Sequence, residues 1–470
     1  MGRIVLTNAS YTARSLIASA QRCINLYAEL NPANDAAPMT FYGTPGKVLV
    51  STLPTAPVRC LYKASNGTLF AVGGSVLYRY VAGAWVSIAL LSTFSGPVCG
   101  ADNGVSAVFT DGSKAAPTVN LTTFAAGAMS GDGWYGADFV TFLDGFLIFN
   151  KPGTQQFYIT GALDLTLDAL DFASAESVPD LLVRVMRDHN EIWMFGQSST
   201  EVFANGGNAL FPFERVSGST MDVGCAAPHS VAQMDNSMFW LGADKRGTPT
   251  FYRAAAGSPT RIATHALEEE LRTYARLDDA EAFSYQDGGH SFYVVAFPAA
   301  GKTWAYDAST QLWAERSFRG PLNSRERDRA SCHAYHDGKH LVGDWESGNI
   351  YQLDLDAYTD NGAEIVRVKS FQHMTADNRR QFFTRLVLDM QAGVGNDGDA
   401  DPLVNLRWSD DGGHTWGAMM TSPLGQVGEY LNKPVFNRLG SGRDRVFEVS
   451  TSINAKLALQ GAFVDAKVGT

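Results

Sequence analysis

Asp287-Gly288-Gly289-His290-Ser291-Phe292-Tyr293-Val294-Val295 is a tight-turn signal that runs straight into an aromatic and β-branched strand. Asp-Gly and Asn-Gly suit two-residue hairpins, because both central positions of such turns need positive φ. The same pattern recurs. Asn66-Gly67 precedes the apolar run 68–72, Asn103-Gly104 precedes 105–109, and Asp144-Gly145 precedes 146–149. Asp188-His189-Asn190 precedes 191–195, Asp235-Asn236 precedes 237–241, and Asp337-Gly338 precedes 339–342. These markers lie about 40–50 residues apart, the length of one four-stranded propeller blade.

Each marker is followed in most units by a second strand rich in Tyr and Phe. Examples are Tyr78, Tyr158, Phe203, Tyr252, Tyr306 and Tyr351. A third element often carries an aromatic, as at Trp85, Phe213 and Trp313. A β-sandwich with coincidental hairpins would show the same turns, but even spacing fits a radial repeat better. The chain therefore reads as all-β: a six- or seven-bladed β-propeller over residues 51–362, with the second unit weak. A short helix interrupts it near 264–276. Thr264 can cap that helix, Leu267, Leu271 and Tyr274 share one face, and Glu268, Glu269 and Glu270 are expected outward. It reads as an insertion packed on a blade, with an interface helix as the alternative. The repeat stops near Asp360-Asn361-Gly362, and residues 363–470 read as a separate β-sandwich-like domain. Residues 1–50 lack the blade pattern and read as an N-terminal arm. Such an arm can add a strand to the last domain or to a neighbouring subunit.

The composition agrees. The 470 residues hold 46 Gly and 18 Pro, spread as many turns would require. Hydrophobic residues make up 45%, enough for a real core, and this excludes a disordered chain. Lys and Arg number 37 against 48 Asp and Glu, a net charge of −11. That balance disfavours a protein that grips nucleic acid by its phosphates. It suits a surface that DNA slides past, since like charges repel. The five cysteines are odd in number and without a CxxC, which argues against a disulfide framework or zinc ribbon. No apolar run is long enough for a membrane helix, and residues 7–12 are too polar for a signal-peptide core.

Ser409-Asp410-Asp411-Gly412-Gly413-His414-Thr415-Trp416 fits the Asp-box pattern. Asp411 can bond the turn amides, Gly413 supplies an unusual φ, and Trp416 is expected to anchor the turn on the core. Such boxes are structural in sialidases. A sialidase would also repeat the box and set three arginines around a carboxylate; this chain has one box and no such triad. Cys332, His333, His336 and His340 resemble a metal cluster, but strand alternation puts His333 and His336 on opposite faces. Asp397, Asp399 and Asp401 alternate as in a calcium loop. No Gly stands at the sixth position, and Trp408 replaces the needed Glu. Arg325, Arg327 and Arg329 would form a basic stripe if extended, a candidate interface against a self-compensated loop. No catalytic fingerprint stands in a fitting context, so the reading is of a non-enzyme without cofactor or metal.

Two stretches near the start, Arg22-Cys23-Ile24-Asn25-Leu26-Tyr27-Ala28-Glu29 and Phe41-Tyr42-Gly43-Thr44-Pro45-Gly46, resemble the tail hub family of short-tailed phages, also called packaged-DNA stabilisation proteins. Residues 195–203, the helix 267–274 with its tail 277–282, and residues 440–447 are similar to the same family. The resemblance spans nearly the whole chain. It implies a propeller subunit of a hexameric ring beneath the portal and adaptor rings. Such a ring is the nozzle for genome exit, helps retain packaged DNA, and gives docking surface to fibres, spikes or a plug. Double-stranded DNA would pass it transiently and without sequence preference. Localisation would be the virion tail, after assembly in the host cytoplasm. Gly43-Thr44-Pro45-Gly46 is expected to be a fixed turn, with Asn25–Glu29 ordered by packing. The competing function is a glycan-binding or glycan-hydrolysing propeller, motivated by the Asp box and the aromatic strands.

Overall fold

All seven turn markers close hairpins between the first and second strands of a blade; four blades are separate four-stranded sheets and three are parts of larger ones. The computed structural model describes residues 2–33, 35, 37–176, 178–208, 210–244, 249–255, 257–394 and 402–469. The acidic residues Asp397, Asp399 and Asp401 lie outside the described residues. Positive φ falls where the turns demand it: 85° at Gly67, 83° at Gly104, 95° at Gly145, 51° at Asn236 and 74° at Gly338. The innermost strands are Val58–Lys63, Cys99–Asp102, Val140–Leu143, Leu182–Asp188, Ala232–Met234, Glu281–Asp287 and Ala330–His336. Each pairs outward with a marker strand and then a third strand, which carries Tyr or Phe in every blade but the second, where it is Pro117–Asn120. Blade number is thus seven among the described residues; the weak second unit is a full blade.

The blades are held by seven apolar clusters, one between each neighbouring pair. Phe70, Val72 and Phe109 join blades one and two, while Trp193, Met238 and Trp240 join four and five. Leu61, Tyr78, Leu341 and Ile350 join blade seven back to blade one, which closes the ring. Burying one such side chain contributes roughly 1.5–3 kcal/mol before entropy is counted.

Blade seven takes its outermost strand from the start of the chain. Gly46–Thr52 pairs antiparallel with Asn349–Asp354. The preceding residues enter the second domain, a sandwich of two sheets. Met39–Gly43 joins Ala458–Val468, and Leu26–Leu30 lies beside it. Cys23–Ile24 pairs with Arg367–Ser370 on one side and touches Glu315 of blade six on the other. One sheet of eleven strands therefore runs from blade six into the sandwich. The sandwich core is a separate cluster that includes Phe41, Leu386, Leu406, Phe436 and Phe447.

The helix is His265–Arg272, and the Thr264 hydroxyl accepts from the Leu267 N–H at 3.2 Å. Leu267 and Leu271 are buried against Phe251, Trp304 and Trp313. The Trp304 indole donates to the Tyr274 hydroxyl at 3.0 Å. That apolar face is consumed inside the subunit. Glu268 corrects an expectation. It points inward, is buried, and accepts from Thr250 at 2.7 Å and from Arg261. No helix among the described residues is long and apolar enough to cross a membrane.

Candidate functional site

Two places gather the polar residues: the seam between propeller and sandwich, and the propeller axis. Asn25 organises the seam. It sits at φ 54° between two short strands, a conformation Asn tolerates better than most residues. Its Nδ2 donates to the carbonyls of Ser317 and Val366, both at 2.9 Å, and its Oδ1 accepts from the Ser317 N–H at 2.8 Å. Its own carbonyl accepts from the Thr44 N–H at 3.1 Å. One side chain thus ties blade six to the linker before the sandwich, and its backbone holds the Gly43–Gly46 turn.

The glycines of that turn mark close approaches. A Cβ at Gly43 would stand 2.6 Å from Arg367 Nε, and one at Gly46 would stand 2.4 Å from the Ala357 carbonyl oxygen. Thr44 and Pro45 are buried between them. Leu26 is in the sandwich core, and Tyr27 packs edge-on to Phe292 and His290 of blade six. Glu29 is exposed. Lys47, next in the chain, is buried with its ammonium 3.0 Å from both Asp328 and Asp360. Burial alone would lower its pKa; the two carboxylates override this and hold it above the ordinary lysine value.

The Asp box forms its hairpin. Ser409 Oγ donates to Asp411 at 2.6 Å and accepts from the Gly413 N–H at 2.7 Å. Asp411 accepts from the Thr415 N–H at 2.8 Å and its hydroxyl at 2.6 Å. Bonds from Ser409 and Thr415 hold Asp411 well below the usual carboxylate range. Asp411 is exposed, so its loss leaves turn donors to water and not buried without a partner. Trp416 does not reach the core. Its ring lies 5.4 Å from Arg22 and 4.9 Å from Arg407, and both guanidiniums bind buried Glu448. Neighbouring Asp410 clamps buried Arg445 through two oxygens at 2.6 and 2.7 Å.

The arginine stripe divides. Arg327 lies 4.0 Å from the Trp345 ring, and Arg329 is held by Glu326 and Glu346 and lies 4.2 Å from Phe318. Neither is a free interface cation; Arg325 is exposed. His333 and His340 bond to one another at 3.0 Å while His336 packs toward Tyr80, so the histidines do not converge. Among the described residues no cluster fit for a metal occurs.

Two cavities line the propeller axis, of 420 and 720 Å³, and share Tyr62, Cys99, Gly100 and Arg184. The smaller is lined jointly by Arg59 of blade one, Arg184 of blade four and Glu281 of blade six. Sequence reading missed Lys47, Asp328, Asp360, Arg445 and Arg184. The available signal was a charged residue standing inside an apolar strand, as Lys47 and Arg445 do.

Known proteins place this architecture. No curated protein matches the chain significantly. Among solved structures, the WD40 beta propeller domain of Doa1 is similar at 12% identity and a TM-score of 0.40, over 66% of this chain and 96% of that one. Residues 8–358 match the family described as bacteriophage P22 Gp10, beta-propeller, and residues 367–467 match bacteriophage P22 Gp10, beta-sandwich. With both halves matched in order, the chain belongs to the bacteriophage P22 Gp10 stabilisation family and is a structural component of a short-tailed phage tail.

Proposed function

We infer that the chain is a tail hub, or nozzle, subunit: six copies form a ring that extends the portal-adaptor channel, helps retain packaged DNA and carries it at ejection. The observation that carries this reading is the match of both domains to the phage stabilisation family. We place the conduit between subunits and not along a propeller axis, where side chains of blades one, four and six line one cavity together. The net charge of −11 per copy supports a lumen that DNA does not adhere to. Outer blade edges and sandwich loops offer surface to the adaptor above and to fibres, spikes or a plug.

The test is a phage with a nonsense codon in this gene. Heads should fill with DNA and then lose it, and added purified chain should restore retention. Particles that keep their DNA without the chain would refute the retention role.

A further inference from the structure

We propose that the 420 Å³ cavity on the propeller axis is an oxyanion site, which holds an ion of the size and charge of inorganic phosphate against Arg184. The inference stands on the axial cavity alone and does not depend on the hub reading.

This cavity is lined by three arginines, Arg59, Arg184 and Arg327, against one carboxylate, Glu281. Arg59 is fully committed. Its donors reach the carbonyls of Gly74, Thr93, Ser95 and Gly96 and the Thr93 hydroxyl, at 2.6 to 2.8 Å. Arg327 is ion-paired with Glu281, its Nη1 3.9 Å away and beyond hydrogen-bond range. Arg184 has no carboxylate within 4.0 Å among the described residues, and its polar contact is the Met186 sulfur at 3.9 Å. Arg184 Nε and Arg327 Nη1 are both buried without an acceptor.

Glu281, Asp279 and Asp344 offset Arg327, and no ion pair joins any of them to Arg184. His229 and His333 also line the cavity, and burial lowers both to about 3, so they are neutral at pH 7. Arg184 sits over Phe139 at 4.1 Å and Arg327 over Trp345 at 4.0 Å. Ring contacts fix the guanidinium faces and leave N–H edges to be used. A guanidinium edge binds an oxyanion through charge-assisted bonds, about twice as strong as neutral ones. The cavity equals roughly fourteen water volumes, room for such an ion with part of its hydration shell.

The test is calorimetric titration of the full chain, freed of phosphate and sulfate, with inorganic phosphate at constant ionic strength. One saturable site per chain is expected. Arg184→Gln should weaken it at least tenfold, and Glu281→Gln should tighten it several-fold by removing the competing carboxylate. Absence of saturable binding to the native chain, or unchanged affinity in Arg184→Gln, would overturn the proposal. If Arg184→Gln does not fold, Glu281→Gln decides: affinity that stays or falls counts against the site.

Discussion

Lys47 is the residue on which the ring closure turns. Its ammonium bridges Asp328 and Asp360 in the interior, and Lys47→Met leaves two buried carboxylates without a cation. The expected loss is about 3–5 kcal/mol, the cost of breaking a buried pair from one side; denaturant unfolding measures it. Two buried histidines make the fold sensitive to acid. His229 and His333 are lowered from 6.5 to about 3 by burial, so the unfolded chain binds more protons than the folded one between those values. Their share of stability therefore falls as pH drops below about 6.5. Between pH 6.5 and 5.5 each histidine contributes roughly 1 kcal/mol of that fall. The double variant His229→Gln/His333→Gln should lose that share, seen as a flatter dependence of unfolding midpoint on pH. The Asp box was legible because its bonds span two to four residues. The partners of Lys47 lie 281 and 313 residues away, which no local pattern encodes.

At the scale of elements, hairpin turns were readable and closure was not. Asp-Gly and Asn-Gly determine φ locally, so each of the seven markers corresponds to a blade, the faint unit at Asn103-Gly104 included. Gly46–Thr52 carries no blade signal of its own, and its place depends on Asn349–Asp354. The helix reading erred on Glu268 because Arg261 and Thr250, which draw it inward, come from adjacent strands and not from helical periodicity. Asn25→Ala tests the seam. It leaves the Ser317 N–H and two carbonyls without their partner in a buried site, expected to cost about 1–3 kcal/mol. Limited proteolysis should then cut within residues 20–46, where the native chain is expected to resist.

The whole molecule behaves as one body if the seam is as continuous as its hydrogen bonds. The eleven-stranded sheet joins blade six to the sandwich, and the first 52 residues enter both domains. Calorimetry of the full chain should show one cooperative transition; two well-separated transitions would mean that the seam is weak. Assembly is tested by electron cryomicroscopy of intact particles carrying this chain. A ring of six copies is expected at the tail vertex, with DNA or its exit channel in the lumen between subunits and the seven-bladed axes off that line. Density for the chain elsewhere in the particle, or a channel that runs through a single propeller, would contradict it.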